Sequence, residues 1–242
     1  MFLDGAVDFT RVLRGQYHWG ALRWVARLTA QQIWYTGVQV LPLIVGIAAF
    51  FSLSLLLLGY QSLQAFGAES HFGQIFRLGV LTGLGPVMVA LIVIARSGTA
   101  ITADVASQVI RGEIDVIKLH GMSVSMLIVI PRLIGVWLSL LTLTTLFIVT
   151  ILLGFFVFSP LLGLYVMEII HVTHKALAPT DILTLIIKSS AFGLFIPLLT
   201  VHKGLMVKRD IRDLPRVSSQ AVVACIISVF VLDVLISMLV LL

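Results

Sequence analysis

Five long apolar stretches separated by short polar segments dominate the pattern of this chain. A helix needs about 20 apolar residues to cross ~30 Å of hydrocarbon, and all five stretches are long enough to do so. The sequence therefore predicts an all-α polytopic membrane protein, with about five transmembrane helices in a single domain, 1–242. The predicted spans are 33–59, 75–103, 124–158, 181–201 and 218–242. Pro42 and Gly46 interrupt the first span, where a kink or a re-entrant path is expected.

The first segment, residues 2–28, is predicted to form an interfacial amphipathic helix on the cytoplasmic leaflet. Apolar side chains recur there every three or four positions, and Arg11, Arg14, His18 and Arg27 lie off that stripe. An ordinary helix packed on a soluble partner is the alternative. The apolar stripe consists of Phe2, Ala6, Phe9, Leu13, Tyr17, Ala21, Trp24 and Leu28.

A polar segment, residues 104–121, lies between the second and third spans. Its sequence, DVASQVIRGEIDVIKLHG, is too polar to cross a membrane and contains no proline, so we predict a short helix outside the hydrocarbon. Such a helix can sit in a groove of a soluble ATPase and pass on its closure as a rigid body. The residues predicted to do this are Arg111, Glu113, Asp115 and Lys118. The alternative is a solvated loop that only turns the chain.

Composition agrees with a membrane protein. The 242 residues are 60% hydrophobic and 11% charged, with a mean hydropathy of +1.13, far outside the range of soluble domains. The single cysteine, Cys225, excludes an intrachain disulfide and is expected to be a packing residue. The N-terminus lacks a basic region followed by an apolar core, so it does not resemble a cleaved signal peptide.

Lys and Arg residues predict the orientation, because they are enriched in cytoplasmic loops. Of the 16 Lys and Arg residues, the side opposite the polar segment has only Arg77, Lys175 and Lys188. The N-terminus and residues 104–121 are therefore expected in the cytoplasm and the C-terminus outside. The net charge of +5 is explained in the same way, and nucleic-acid binding is not expected.

Catalytic and metal-binding patterns are not evident. No GxxxxGK[ST] phosphate-binding loop occurs, so the chain is not expected to hydrolyse ATP itself. His171 and His174 are three residues apart, a spacing more typical of solvated loop residues than of metal ligands. An apolar path with a cytoplasmic polar helix indicates a non-enzymatic permease driven by a separate ATPase. A permease for a small polar solute and a non-transporting membrane scaffold are the competing interpretations.

Four short motifs then give a specific resemblance. In order, they are FGAES at 66–70, LGPV at 84–87, RSGTAITAD at 96–104, and PR at 131–132. With this order and spacing, the chain from about Ile33 onward resembles the MlaE-type permease subunits of ABC lipid transporters that work with MCE-domain proteins. Further matches are Asp181, Lys188, Gly204, Arg216 with the following VSSQAVV, and Asp233.

Three departures from the family pattern accompany these matches. Thr82 and Gly83 stand where the family usually has Arg-Glu before LGPV. Residues 112–117 (GEIDVI) replace E-Q-x-D-A-L, and Ser123 and Val124 replace a common Asp-Pro. They indicate a diverged branch, or one half of a pair of unlike permeases.

The resemblance implies a permease of the bacterial inner membrane that passes phospholipids or related lipids between that membrane and an extracytoplasmic MCE assembly. The implied partners are an ABC ATPase carrying ATP and Mg²⁺, a hexamer of MCE-domain protein, a small STAS-type subunit, and a second permease copy or a paralogue. No cofactor is expected in this chain. A lipid substrate agrees with the few polar groups of the first two spans. The expected cavity wall is Leu55, Leu58, Tyr60, Leu63 and Thr82.

Three charged residues, Arg96, Lys188 and Asp233, lie inside or near predicted spans. An unpaired charge there costs at least ~2.5 to 3.5 kcal/mol, so each needs a partner or water. Antiparallel packing of the fourth and fifth spans would bring Lys188 and Asp233 to a similar depth. We therefore predict an ion pair between them, with a substrate-contacting role as the alternative.

Overall fold

A computed structural model of the protein describes residues 19–68, 71–121, 123–162, 179–208 and 210–241. Within these ranges every regular element is helical, and five helices are long and apolar enough to cross a membrane. The predicted fold class is thus confirmed. Parts of some predictions lie outside the described residues, namely 2–18 of the amphipathic helix, Glu69 and Ser70 of FGAES, and His171, His174 and Lys175.

Two helices make up the first part of the bundle. Helix α1 is Trp19–Thr36, eight residues longer at its C-terminal end than expected, and a 3₁₀ turn, Val38–Val40, separates it from α2. Helix α2 covers residues 41–65, with an α-helical part at Leu41–Ser54 followed by a π-helical turn. The interruption therefore precedes Pro42, because proline in the first turn has no N–H to lose and starts a helix well. Gly46 lies inside uninterrupted helix.

Helix α3, Phe72–Ile110, alternates between α and π geometry. Its longest π segment is Phe76–Leu84, which ends where the Gly85 N–H binds the carbonyl of Val80. A Cβ on Gly85 would lie 2.5 Å from that carbonyl oxygen, so glycine fits this wide turn where a side chain would clash. The π turns give the N-terminal half of α3 a different helical register from an ideal helix.

The predicted polar helix has different bounds from those expected. Residues 104–110 continue α3, and the separate short helix is α4, Glu113–Leu119. Gly112 between them has φ +74°, a left-handed conformation that glycine adopts without strain. This one residue lets the chain turn between α3 and α4.

Helix α5, Ser125–Phe158, is the centre of the bundle. It packs on α1, on α2 and on α6, Pro179–Leu205, and α6 packs on α7, Leu214–Leu241. The observed α5, α6 and α7 agree with the predicted third, fourth and fifth spans to within about four residues at each end. Most of α7 is uncovered in the single chain, since only 11% of its apolar stretch is buried.

Small residues bring these helices close together. Ser52 of α2 packs on Gly154 of α5 and donates its hydroxyl to the carbonyl of Ile151 at 3.0 Å. Gly204 of α6 packs on Val105 of α3. Close backbone approach supplies the dispersion energy that joins helices in lipid, where hydrophobic burial contributes little.

Candidate functional site

The ammonium group of Lys188 is the most buried charge in the described bundle. The side chain, on α6, is 1% exposed, and its Nζ lies 2.6 Å from Asp233 Oδ1 on α7. Nζ also donates to the main-chain carbonyl of Thr82 at 2.7 Å and to Ser237 Oγ at 2.8 Å. All three N–H groups of the ammonium are therefore satisfied. The predicted ion pair is present, and it also binds α3.

A second ion pair joins α3 to α6 near the N-terminal end of α6. Arg77 Nε lies 3.0 Å from Asp181 Oδ1, and the Asp181 side chain is buried. Asp181 lies about 10 Å along α6 from Lys188, at ~1.5 Å per residue. The π segment of α3 is thus fastened to α6 at two levels, through the Arg77 side chain and the Thr82 carbonyl.

The five residues expected to line a lipid cavity lie in different surroundings. Leu58 is 73% exposed, whereas Tyr60 is 2% exposed and meets Phe72 edge-on at 5.4 Å between ring centroids. Leu55 and Leu63 are partly buried against the core. The Thr82 hydroxyl donates to main-chain carbonyls of its own helix, those of Arg77 and Leu78. Their role in lipid binding stays a prediction.

At the other end of the bundle, residues of α1, α3 and α5 line an open cleft of about 320 Å³. Helix α1 contributes Gln32, Tyr35 and Thr36, and the following 3₁₀ turn contributes Gln39. The charged residues of the cleft are Arg96, Asp104 and Arg132. The sequence had indicated Arg96 as a charge in or near a span, and the structure places it on the wall of this cleft.

The two arginines of the cleft have different partners. The Arg132 guanidinium forms an ion pair with Asp104 and also donates to the carbonyl of Ile128. Arg96 donates to the main-chain carbonyl of Gln39 and, at 3.3 Å, to the Gln39 side-chain oxygen. Both acceptors of Arg96 are uncharged, and no described carboxylate lies within ion-pair distance of it.

Helix α4 presents a mixed surface. Ile114 is buried and holds α4 against the end of α3, whereas Val116 and Leu119 point outward, Leu119 being 84% exposed. Arg111 and Glu113 form an exposed ion pair at 3.1 Å. The four charged residues predicted to contact an ATPase are thus accompanied by exposed apolar side chains that the sequence analysis did not single out.

Several contacts of these sites were not anticipated. The pairs Arg77–Asp181 and Asp104–Arg132 join residues far apart in sequence, although each partner lies near the end of a predicted span on a matching side. That shared depth is the signal that could have identified them. Within the described ranges, no group of three or more His, Cys, Asp or Glu side chains is arranged to hold a metal ion.

Comparison with known proteins relates these features to a family. The family model described as Permease MlaE matches residues 29–239. The chain is 26% identical over 216 residues to a probable ABC transporter permease of Rickettsia prowazekii, covering 87% of this chain and 82% of that protein.

Two other relatives carry more specific names. The protein TRIGALACTOSYLDIACYLGLYCEROL 1, chloroplastic, of Arabidopsis thaliana is 25% identical over 94% of this chain, which spans 63% of that longer protein. The intermembrane phospholipid transport system permease protein MlaE of Haemophilus influenzae is 31% identical over 121 residues, half of this chain and 46% of that protein. Because the family model covers nearly the whole described bundle, the chain belongs to the MlaE permease family of ABC transporter subunits.

Proposed function

We propose that this permease subunit moves phospholipids or related lipids between the bacterial inner membrane and an extracytoplasmic MCE-protein assembly, driven by ATP hydrolysis on a partner ATPase. The observation that carries the proposal is the family match over residues 29–239. The Haemophilus influenzae relative is named as a phospholipid transport permease. The apolar character of the described spans agrees with a lipid cargo.

Helix α4 is the proposed contact with the ATPase. Its charges Arg111, Glu113, Asp115 and Lys118 provide polar contacts at the rim of an interface, and Val116 and Leu119 provide apolar contacts at its centre. Ile114 packs α4 on the rest of the permease, so movement of α4 is transmitted to α3. The left-handed Gly112 allows this rigid-body coupling without a long flexible linker.

The long apolar face of α7 supports a further part of the proposal, a dimer of permeases. Large apolar side chains on α7 are uncovered in the single chain, including Val234, Leu235 and Met238. A second copy of the chain, or a paralogue, would cover part of this face, and lipid would cover the rest. A STAS-type subunit is expected with the ATPase on the cytoplasmic side.

Reconstitution tests the function directly. The permease, its ATPase and its MCE protein are placed in liposomes containing a fluorescent phospholipid, and transfer of that lipid to or from the MCE protein is followed. ATP-dependent transfer that stops with a non-hydrolysable ATP analogue is expected. ATP-dependent uptake of a small polar solute without lipid transfer would instead indicate the competing permease class. Absence of both, with the complex intact, would indicate a scaffold.

A further inference from the structure

The cleft between α1, α3 and α5 has the charge and size of a small anion site. Its three charged residues are Arg96, Arg132 and Asp104, so their formal charges leave an excess of one positive charge. Its volume, about 320 Å³, lies at the lower end of the range of ligand pockets, ~300 to 1,000 Å³. A compact polar group fits this space better than a whole lipid.

Arg96 is the group available to bind such an anion. A guanidinium has five N–H donors in a planar fork that suits phosphate. Arg96 uses this fork for two uncharged oxygens of Gln39, which leaves N–H groups and the whole positive charge without a described anionic partner. Arg132, in contrast, is neutralised by Asp104. The excess charge of the cleft is therefore that of Arg96.

The depth of the cleft indicates where the anion belongs. Arg96 lies about 30 Å along α3 from Ile75, at ~1.5 Å per residue, which is one hydrocarbon thickness. On α1, Trp34 and Tyr35 are 57% and 61% exposed, and exposed Trp and Tyr are typical of the headgroup level. Val38 and Leu43, one residue before and four residues after Gln39 in the chain, add exposed apolar surface.

We propose that this cleft binds the phosphate group of a membrane lipid, with Arg96 as the principal ligand and the acyl chains lying outside along the exposed apolar surface. The site is separate from the predicted lipid cavity on α2 and α3. The proposal deepens the function proposed above and rests on it only in taking the surrounding membrane as a source of phospholipid. A lipid with net negative charge is preferred over a zwitterionic one, because the cleft has an excess of positive charge.

Lipid enrichment around the purified permease tests the site without an ATPase or transport. The protein is reconstituted into nanodiscs of phosphatidylglycerol and phosphatidylcholine, and the lipids retained after extraction into detergent are measured by native mass spectrometry. Arg96→Gln is expected to lower phosphatidylglycerol retention about tenfold, as for loss of a charge-assisted hydrogen bond. Arg212→Gln removes the same charge from an exposed position outside the cleft and should leave retention unchanged.

A gain of binding separates the proposal from a folding defect. Asp104→Asn removes the carboxylate that neutralises Arg132, so phosphatidylglycerol retention should rise several-fold. Equal losses in Arg96→Gln and Arg212→Gln, or no gain in Asp104→Asn, would overturn the site. These results do not depend on transport, so loss of the transport function and loss of this site are distinguishable.

A free anion is the other source of the same chemistry. Titration of inorganic phosphate into permease in the mixed phosphatidylglycerol and phosphatidylcholine nanodiscs distinguishes it from a lipid. If millimolar phosphate fails to displace the retained phosphatidylglycerol, the lipid source is supported. Arg96-dependent binding of free phosphate without any phosphatidylglycerol enrichment would overturn it.

Discussion

At the scale of single residues, Lys188 shows how a charge is accommodated inside an apolar bundle. Its three N–H groups bind a carboxylate, a hydroxyl and a main-chain carbonyl, each from α7 or α3. Burying an ammonium ion costs several kcal/mol unless geometry and hydrogen bonds compensate for it. The network therefore specifies how α3, α6 and α7 meet, more than it adds stability.

A double-mutant cycle tests this pairing. Lys188→Met leaves Asp233 without a counter-charge and should cost about 3 to 5 kcal/mol in free energy of unfolding, as should Asp233→Leu, whereas the double variant should cost much less. Ser237→Ala removes one neutral partner and should cost about 1 kcal/mol. Chemical unfolding in detergent measures all four. A double variant as unstable as the sum of the singles would show that the charges act independently, in favour of a lipid-headgroup or proton role.

The Lys188–Asp233 pair could be predicted from sequence because depth along two antiparallel spans is a matter of counting residues. The contact between Arg96 and Gln39 could not be predicted in that way. It depends on the 3₁₀ turn Val38–Val40, which brings Gln39 within reach of a side chain 57 residues further along the chain. The sequence predicted an interruption near Pro42 and Gly46, whereas the observed one precedes Pro42, since proline and glycine signal a break without fixing which side of them it falls on.

At the scale of helices, two glycines that each lie inside an α-helix, Gly154 buried and Gly46 exposed, should respond oppositely to alanine. A Cβ on Gly154 would lie 2.6 Å from Ser52 Cβ, while a Cβ on Gly46 would meet no atom within 4 Å. Gly154→Ala should destabilise the bundle by about 1 to 3 kcal/mol through overpacking. Gly46→Ala should be neutral or stabilising by up to ~1 kcal/mol, because alanine favours helix. Thermal unfolding in detergent measures both, and equal effects would contradict the close α2–α5 contact.

The exposed apolar side chains of α4 give a second prediction for an element. Leu119→Asp should weaken co-purification with the ATPase by about tenfold or more, because a buried interface residue would become charged. Leu161→Asp is the matched control, as Leu161 is similarly exposed near the other end of α5. Unchanged ATPase binding in Leu119→Asp, together with unchanged binding in a Glu113→Lys and Asp115→Lys variant, would show that α4 is not the docking element.

The bounds of α4 show that the polarity of a segment does not predict where one helix ends and the next begins. Polarity marks residues 104–121 as lying outside the hydrocarbon, but polar residues at the end of a span can continue the same helix, as residues 104–110 do. Gly112 lies between α3 and α4. Its left-handed φ is what ends α3 and starts α4, and a single glycine does not reveal its conformation.

At the scale of the whole molecule, the number, order and approximate bounds of the apolar helices follow from hydropathy alone, because the bilayer constrains the length of any spanning helix. Their arrangement does not follow in that way. Helix α5 is central because small residues on α2 and α6 meet it, as Ser52 and Gly193 do. Such contacts involve pairs of positions that no local pattern links.

Orientation in the membrane is the last property that the charges predict. Among the described residues, Arg111, Lys118, Lys203, Lys208 and Arg212 lie at or beyond the α4 end of the bundle, and Arg77 lies near the opposite end. The bias predicts that α4 lies in the cytoplasm. Single cysteines at Leu119 and Leu161 test it, and the native Cys225 is buried. A membrane-impermeant maleimide should label Leu161→Cys in spheroplasts and Leu119→Cys only after permeabilisation. The reverse labelling pattern would show that the permease has the opposite orientation. Its proposed ATPase contact would then lie outside the cell, where no ATP is available to drive transport.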